Sequence, residues 1–189
     1  MDAQISELVT TVERLMSPYT GTWALCGGWA IDSWLNRVTR GHEDLDIAVW
    51  MDEQRLFHAE LDDWRLVAHE TEEADHQVMW DGHQLAPATH VHPGQDLVPR
   101  RELHVNERHR GEGTWRLRGF RGPTATLPFD RFSLQSPWGL PTLAPEALLF
   151  YKLSSERRPR DEQDIAALSS ILDDPQRLWL RSALEQPAP

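Results

Sequence analysis

The sequence predicts an α+β fold of α/β-like character, a mixed β-sheet flanked by helices and followed by a helical C-terminal part. Three observations carry this reading. Short apolar runs bounded by turn residues fill most of the chain up to about residue 140. Helical periodicity marks the N-terminus and returns after Pro145. A proline stands at a first-turn position of each C-terminal helical segment.

Ile5, Leu8, Val9, Val12, Leu15 and Met16 recur at helical spacing, which predicts an amphipathic helix over about 3–16, ended by "SPYTG". "TWALC" (22–26) reads as a short buried strand, followed by Gly27-Gly28 and a second helix, "WAIDSWLN" (29–36). "RVTRGHED" is a polar loop, and residues 45–50 form the second strand. "DEQRLFHAELDD" (52–63) has helical spacing behind a capping aspartate. "WRLVAHE" is a strand, "HQVMW" and "HQLA" a hairpin about Asp81-Gly82, and "RELHVNE" with "TWRLRG" a second hairpin. "GPTATLPFDRF" and "SPWGLPT" read as loops punctuated by Pro and Gly. Three helices close the chain: "PEALLFYKLSSER", "PRDEQDIAALSSILD" and "PQRLWLRSALEQ". The expected division is a core domain over 1–140 and a helical subdomain over 141–189.

Composition narrows the class. The chain of 189 residues is 40% hydrophobic and 26% charged, ordinary for a globular domain with a real core. It has no apolar run of membrane-spanning length, and "MDAQISELVTTVERLM" lacks a signal-peptide profile. A single cysteine, Cys26, forms no internal disulfide and fits a reducing cytoplasm. The net charge of −11 disfavours broad contact with nucleic acid and favours a cationic small molecule. All 19 basic residues but Lys152 are arginine, which hints that a compact ammonium is wanted there.

The chemistry concentrates in "GHEDLDIAVW" (41–50). Strand alternation turns Asp44 and Asp46 to one face, where their charges repel unless a cation sits between them. Paired carboxylates of this kind hold hard divalent ions such as Mg²⁺, and two such ions clamp a phosphoryl displacement. A Gly-Gly turn before a helix offers free backbone N–H groups to phosphate. Each feature alone is weak; their order, strand, Gly-Gly, helix, basic loop and Asp-x-Asp on a strand, is far more specific.

"GGWAIDSWLNRVTRGHEDLDIAV" closely resembles the core of the nucleotidyltransferase superfamily with the polymerase-β-like minimal fold, and in particular the aminoglycoside 2″-O- and small lincosamide nucleotidyltransferases. The matching positions are Gly27, Gly28, Trp29, Arg37, Arg40, His42, Asp44 and Asp46. "LAPEALLFYKLSSERRPRDEQDIAAL" (143–168) resembles the C-terminal signature of the same group. The resemblance implies that Asp44 and Asp46 bind two Mg²⁺, and that Gly27, Gly28, Trp29, Arg40, His42 and Lys152 serve a nucleoside triphosphate, with ATP the expected donor. A hydroxyl of a small, hydroxylated, cationic acceptor of antibiotic type would attack the α-phosphorus, releasing pyrophosphate. The family adds a third carboxylate from a later strand, for metal or as base. Glu102 is the first choice, since Glu102, His104 and Asn106 share one face of their strand; Glu107 is its rival and Asp96 a weaker one. Asp161 and Asp164, in the C-terminal Asp-x-x-Asp, are reserves, and they also suit caps or salt bridges.

The segment 81–113, with His83, His90, His92, His104 and His109, matches the family poorly; His90-x-His92 on a strand could bind zinc but has no further Cys or clear ligand spacing, and polar surface positions suit it better. Trp29, Trp34 and Trp50, among nine tryptophans, lie near the site in sequence, although core burial is the commoner fate of tryptophan. Two other functions stay open on the sequence. One is a toxin-like nucleotidyltransferase acting on tRNA or protein, kept alive by the arginine clusters 100–101, 108–110 and 116–121. The other is a degenerate nucleotide-binding protein that has lost catalysis.

Overall fold

The computed structural model describes residues 2–64, 66–69, 78–82, 90–93, 100–119, 123–154 and 159–186, with the backbone alone at 63, 67–69, 78–79, 90–93 and 160. His83 and Asp96, and the second arm of the hairpin expected about Asp81-Gly82, lie outside the described residues.

Helix α1 (Ala3–Met16) is capped by Asp2, whose carboxylate accepts the Gln4 N–H at 3.0 Å, and it buries Ile5, Val12, Leu15 and Met16 on one stripe. Strand β1 (Trp23–Cys26) runs directly into helix α2 (Gly27–Leu35). Sequence reasoning placed the glycines in a turn before the helix; they are its first two residues. Asn36, left-handed at φ 53°, ends α2 by donating its N–H to the carbonyls of Asp32 and Ser33.

Strand β2 (Asp44–Trp50) is the middle of the molecule: Leu45 and Ile47–Trp50 are all buried. The helix expected over 52–63 is shorter. A 3₁₀ turn (Met51–Glu53) precedes α3 (Gln54–Glu60), and Asp52 caps neither. Instead Asp52 accepts from Arg108 and Arg110, because two guanidiniums outbid the backbone for its oxygens.

Strands β3 (Leu66–His69), β4 (Val78–Met79), β5 (His90–Pro93), β6 (Arg100–His109) and β7 (Thr114–Arg118) follow. The β6–β7 hairpin falls where the alternating runs put it. "GPTATLPFDRF" is no simple loop: Thr124–Pro128 forms β8, which pairs along β7 with Ala125 and Leu127 facing the core. The Pro and Gly of this stretch bound the strand rather than exclude it. Two-residue strands β9 (Leu134–Gln135) and β10 (Pro141–Thr142) flank the tight turn at Gly139.

The sheet runs β4-β3-β5-β6-β2-β1-β10-β9, with β7 and β8 added at the far end of β6. β2 and β6 are parallel, as are β1 and β10; the other pairs are antiparallel. The mixed sheet with helices against it is the α+β class the sequence predicts.

The chain closes with α4 (Pro145–Leu153), α5 (Pro159–Ser169) and α6 (Asp174–Leu184), each with proline in its first turn and α6 with a full Asp173–Gln176 capping box. Helix α4 is buried over its first six residues and packs against α2, α5 and α6. One apolar cluster runs from Val12 through β1 and β2 to Ala183. Glu146, buried on α4, accepts from Arg131 at 2.7 Å and Gln176 at 2.9 Å, which ties the helices to the sheet.

Candidate active site

Asp46 is the hub of the site. Across the sheet it stands opposite Cys26 on β1 and Glu102 on β6. Directly opposed residues of paired strands point to the same face, so the register alone sets Asp46 beside Glu102. The burial pattern of β2 keeps Asp44 and Asp46 partly open while Leu45 and Ile47 go inward. On β6, Leu103 is inward and Glu102 and His104 face the same side as the aspartates. The ligand-type atoms of Asp46, Glu102 and His104 lie within 4.8 Å of one another. His104 Nε2 is 3.0 Å from Asp46 Oδ1.

Gly27, at the start of α2, lies against Asp46. Its φ is +64°, and a Cβ there would lie 1.7 Å from Asp46 Oδ2. The Asp46 carboxylate occupies the space a side chain would need. A Cβ on Gly28 would lie 2.2 Å from His42 Nδ1 and 2.9 Å from Arg40 Nη2. Both glycines are therefore required by side chains packed against the first turn of α2, whose leading N–H groups have no partner within the helix.

His42 is not an open ligand. Its side chain is buried, its Nε2 lies 2.7 Å from Asp32 Oδ2, and its ring packs 4.3 Å from that of Trp29. Asp32 is fully buried and also accepts the backbone N–H (3.1 Å) and the hydroxyl of Thr39. It thereby fixes the loop between α2 and β2. Sequence reasoning passed over Asp32; the signal was a lone carboxylate within the apolar run "WAIDSWL".

Arg40 and Lys152 meet at the C-terminal helices. Arg40 grips Asp164 with two nitrogens at 2.9 and 3.2 Å, and Lys152 Nζ lies 2.9 Å from Asp164 and 2.7 Å from Asp161. Asp161 and Asp164 are buried, and Lys152 is nearly so. Of the remaining sequence candidates, Glu107 lies on the opposite face of β6, five residues from Glu102, and pairs with Arg118 at 2.6 Å. The structure does not bring it to the cluster. Arg37 lines a surface hollow of about 530 Å³ with Asp2, Gln4 and Ile5. Trp50 is core, stacked on Phe132 at 3.6 Å, and Trp34 donates to the Leu143 carbonyl at 2.8 Å; Trp29 is half-buried. The side chains of His90 and His92 lie outside the described residues.

The electrostatics follow from this packing. Burial raises the Asp46 carboxyl, but the His104 hydrogen bond and the charges of His104, Lys152 and His42 outweigh it, and the net position is below the ordinary range. Glu102 is raised, first by burial and then by the neighbouring Asp46, against the pull of His104 and Arg100. Desolvation lowers His104, yet the bond to Asp46 and the three carboxylates Asp46, Glu102 and Asp44 raise it overall. Cys26 is held well above its usual value by burial and the same three acids. One carboxylate that stays ionised sits beside one inclined to take a proton, an arrangement suited to binding a cation and to general-base chemistry.

Residues 8–93 match the family model described as aminoglycoside-2''-adenylyltransferase. That match covers a little under half of the chain.

The architecture is similar to that of solved structures. The chain is similar to the lincomycin-bound lincosamide antibiotic adenylyltransferase LnuA, at 17% identity and TM-score 0.56, over 91% of this chain and 99% of that one. It is also similar to ANT(2'')-Ia in complex with adenylyl-2''-tobramycin, at 17% identity and TM-score 0.58, over 97% of both chains. At this identity the two likenesses speak for the fold. No curated protein matches the sequence. In this chain helix α2 starts beside the carboxylates of β2, and β6 supplies a further acid.

Proposed function

We propose that this nucleotidyltransferase moves a nucleoside monophosphate, AMP from ATP, to a hydroxyl of a small antibiotic-type acceptor such as an aminoglycoside or a lincosamide. The observation that carries the reading is the contact of Gly27 with Asp46, together with the register that sets Glu102 opposite Asp46. It joins a phosphate-binding helix start to a carboxylate cluster at one point.

The donor set fits divalent metal. Asp46 and Glu102 offer hard oxygens within 4.8 Å, and Asp44 stands on the same face. Asp44, Asp46 and Glu102 would hold two Mg²⁺, which when bound offset phosphate charge and polarise the oxygens of the displacement. The first-turn N–H groups of α2 receive the β,γ-phosphates. Lys152 and Arg40, oriented by Asp164, put positive charge beside them. Glu102 takes the proton of the acceptor hydroxyl at its carboxylate while that oxygen attacks the α-phosphorus. The bond from the α-phosphorus to the bridging oxygen breaks, and pyrophosphate leaves.

Two features of this chain favour a small cationic acceptor. The net charge is −11, and the carboxylates open to one face attract polyamines at long range. Pyrophosphate release measured over a panel of aminoglycosides and lincosamides, with each of four NTPs and Mg²⁺, tests the proposal. The expected hit is an acceptor whose mass rises by one nucleotidyl group. Silence across both antibiotic classes with every NTP would refute the acceptor class.

A further inference from the structure

We propose that Asp32 is a positioning residue for nucleotide binding: through the ring of His42 it fixes the first turn of α2, which receives the triphosphate, against the loop that leads into Asp44 and Asp46. The proposal rests on the nucleotidyl-transfer reading of the cleft and adds to it a residue that touches no substrate.

Asp32 follows Gly28 by one turn of α2, so the two share a face of the helix. The His42 ring spans that turn. Its Nε2 lies 2.7 Å from Asp32 Oδ2, and a Cβ on Gly28 would lie 2.2 Å from its Nδ1. The His42 and Asp32 side chains are 2% and 0% exposed, so neither presents a face to a ligand. The imidazole acts as a spacer, held at one end by a carboxylate and resting at the other on the start of the helix.

The loop between α2 and β2 winds around Asp32. The Asp32 carbonyl accepts the Arg37 N–H at 3.2 Å. Its Oδ1 accepts the Thr39 N–H at 3.1 Å and the Thr39 hydroxyl, which leaves Oδ2 to His42. Residues 37, 39 and 42 are thus tied to one residue just before the chain enters β2 at Asp44. Arg40, between these ties, is brought over Gly28 as well, with Nη2 2.9 Å from the Cβ position. The first turn of α2 is therefore seated on β2 through Gly27 and on the loop through Gly28, and the second seat depends on Asp32. Stability accounts weakly for a carboxylate at this depth, because desolvation offsets most of what a buried charged pair gains. What the pair supplies is geometry: the first-turn N–H groups have no partner within the helix, and their placement decides how phosphate is met.

Binding to the full chain in the presence of Mg²⁺ tests this with three probes: inorganic pyrophosphate, an ATP analogue with a methylene between the α- and β-phosphorus, and AMP. Asp32→Asn keeps the volume and an oxygen for Thr39 but removes the charge that faces His42. In titration calorimetry it should weaken pyrophosphate and the analogue about tenfold, and AMP, which lacks the β- and γ-phosphates, by less than about threefold. His42→Gln keeps an amide nitrogen within reach of Asp32 but takes the ring off Gly28. It should give the same split, and it carries the test if circular dichroism shows Asp32→Asn unfolded. Since Asp32 acts through His42, the double variant should bind pyrophosphate within about twofold of the weaker single variant. With an acceptor from the antibiotic panel, the KM for ATP should rise about tenfold while kcat changes by less than about threefold. A merely structural role would lower Tm and leave the folded protein's affinity for pyrophosphate as it was. Unchanged pyrophosphate affinity in either folded variant, equal weakening of AMP and pyrophosphate, or additive losses in the double variant would each overturn the proposal. Nucleotidyl transfer is scored separately. If an acceptor is modified while Asp32→Asn binds pyrophosphate normally, the positioning role falls and the transferase reading stands. If pyrophosphate binding depends on Asp32 but no acceptor is modified, the positioning role stands and the reading of the site's use falls.

Discussion

Replacing Gly27 with alanine separates what the site requires from what the backbone requires. At φ +64° any Cβ costs about 1–2 kcal/mol in the left-handed region. For a chain of this length that amounts to a fall in Tm of roughly 2–8 °C. The second effect is local. The new Cβ would start 1.7 Å from Asp46 Oδ2, and real Cβ contacts stay beyond 3.0 Å, so the carboxylate must move by more than 1 Å. A misplacement of about 1 Å near the chemistry is enough to cost about 10²-fold in rate. Gly113 is the control: its φ is +67°, yet nothing lies within 4 Å of its Cβ position. Gly27→Ala and Gly113→Ala should therefore lose similar stability in thermal unfolding. Pyrophosphate release, measured with whichever acceptor the panel yields, should fall about 10²-fold in kcat for Gly27→Ala. It should stay within about twofold of wild type for Gly113→Ala, whose substitution adds backbone strain alone. Near-normal turnover in Gly27→Ala, or equal inactivation in the control, would refute the idea that Gly27 is kept clear for Asp46.

Other consequences follow from the same contacts. Asp46→Asn should abolish pyrophosphate release, and Glu102→Gln should lower kcat by about 10²-fold with little change in nucleotide binding; normal rates in either would remove that residue from the reaction. Lys152→Ala leaves Asp161 without its ammonium and Asp164 with Arg40 alone, so Tm should drop and the KM for nucleotide should rise, while Lys152→Arg restores stability better than KM because a planar fork is not a point charge. Equal recovery of both would refute a phosphate-facing role. Burial raises Asp164, but hydrogen bonds from Arg40 and Lys152 pull it below the ordinary carboxylate value. A depressed folded-state pKa stabilises above the unfolded value of about 3.9 and is lost as pH falls through the lower folded value. Urea unfolding should accordingly show a steeper loss of stability below about pH 4 in the wild type than in Asp164→Asn; identical profiles would contradict the charge network.

The parts legible in the sequence were those fixed by local pattern. Helix α1, strands β1 and β2, and the β6–β7 hairpin follow from periodicity alone, and alternation along "RELHVNE" turned Glu102 to the face where the structure puts it. What local pattern missed was decided by contacts between distant segments. Two glycines make a poor helix start by propensity, yet α2 begins on them because Asp46 and His42 leave no room for side chains. Asp52 has a capping residue's identity but lies within reach of Arg108 and Arg110, 56 and 58 residues away. The buried Asp32–His42 pair and the grip of Arg40 on Asp164, across 124 residues, depend on how α2, the following loop and α5 meet. The first pair spans ten residues but is set by the fold of the loop, and no window of sequence contains the second. The expectation that Asp44 and Asp46 simply repel until metal arrives also needed correction: His104, Lys152 and His42 already offset the charge on Asp46.

The same accounting of charge bears on the choice between a small acceptor and tRNA. A nucleic-acid face needs arginines free to meet phosphates along a stripe. Here Arg108 is held by Asp52 and Glu53, Arg110 by Asp52, and Arg118 by Glu107, at 2.6 to 2.9 Å. Arg108, Arg110 and Arg118 are thus interleaved with acids from neighbouring elements, and Arg108 further packs over the Trp50 ring at 5.1 Å. These contacts brace the β6–β7 hairpin against the end of β2 and leave the surrounding field negative, in keeping with the net charge of −11. Lys152 and Arg40 are likewise held by buried aspartates, and Arg100 by Glu102 at 3.0 Å. A molecule arriving at this cleft from solvent therefore meets attraction if it is cationic and repulsion if it is a polyanion. Raising the salt concentration should accordingly weaken a cationic acceptor, seen as a rising KM. An acceptor KM that does not rise with salt would refute attraction of a cationic acceptor by this field.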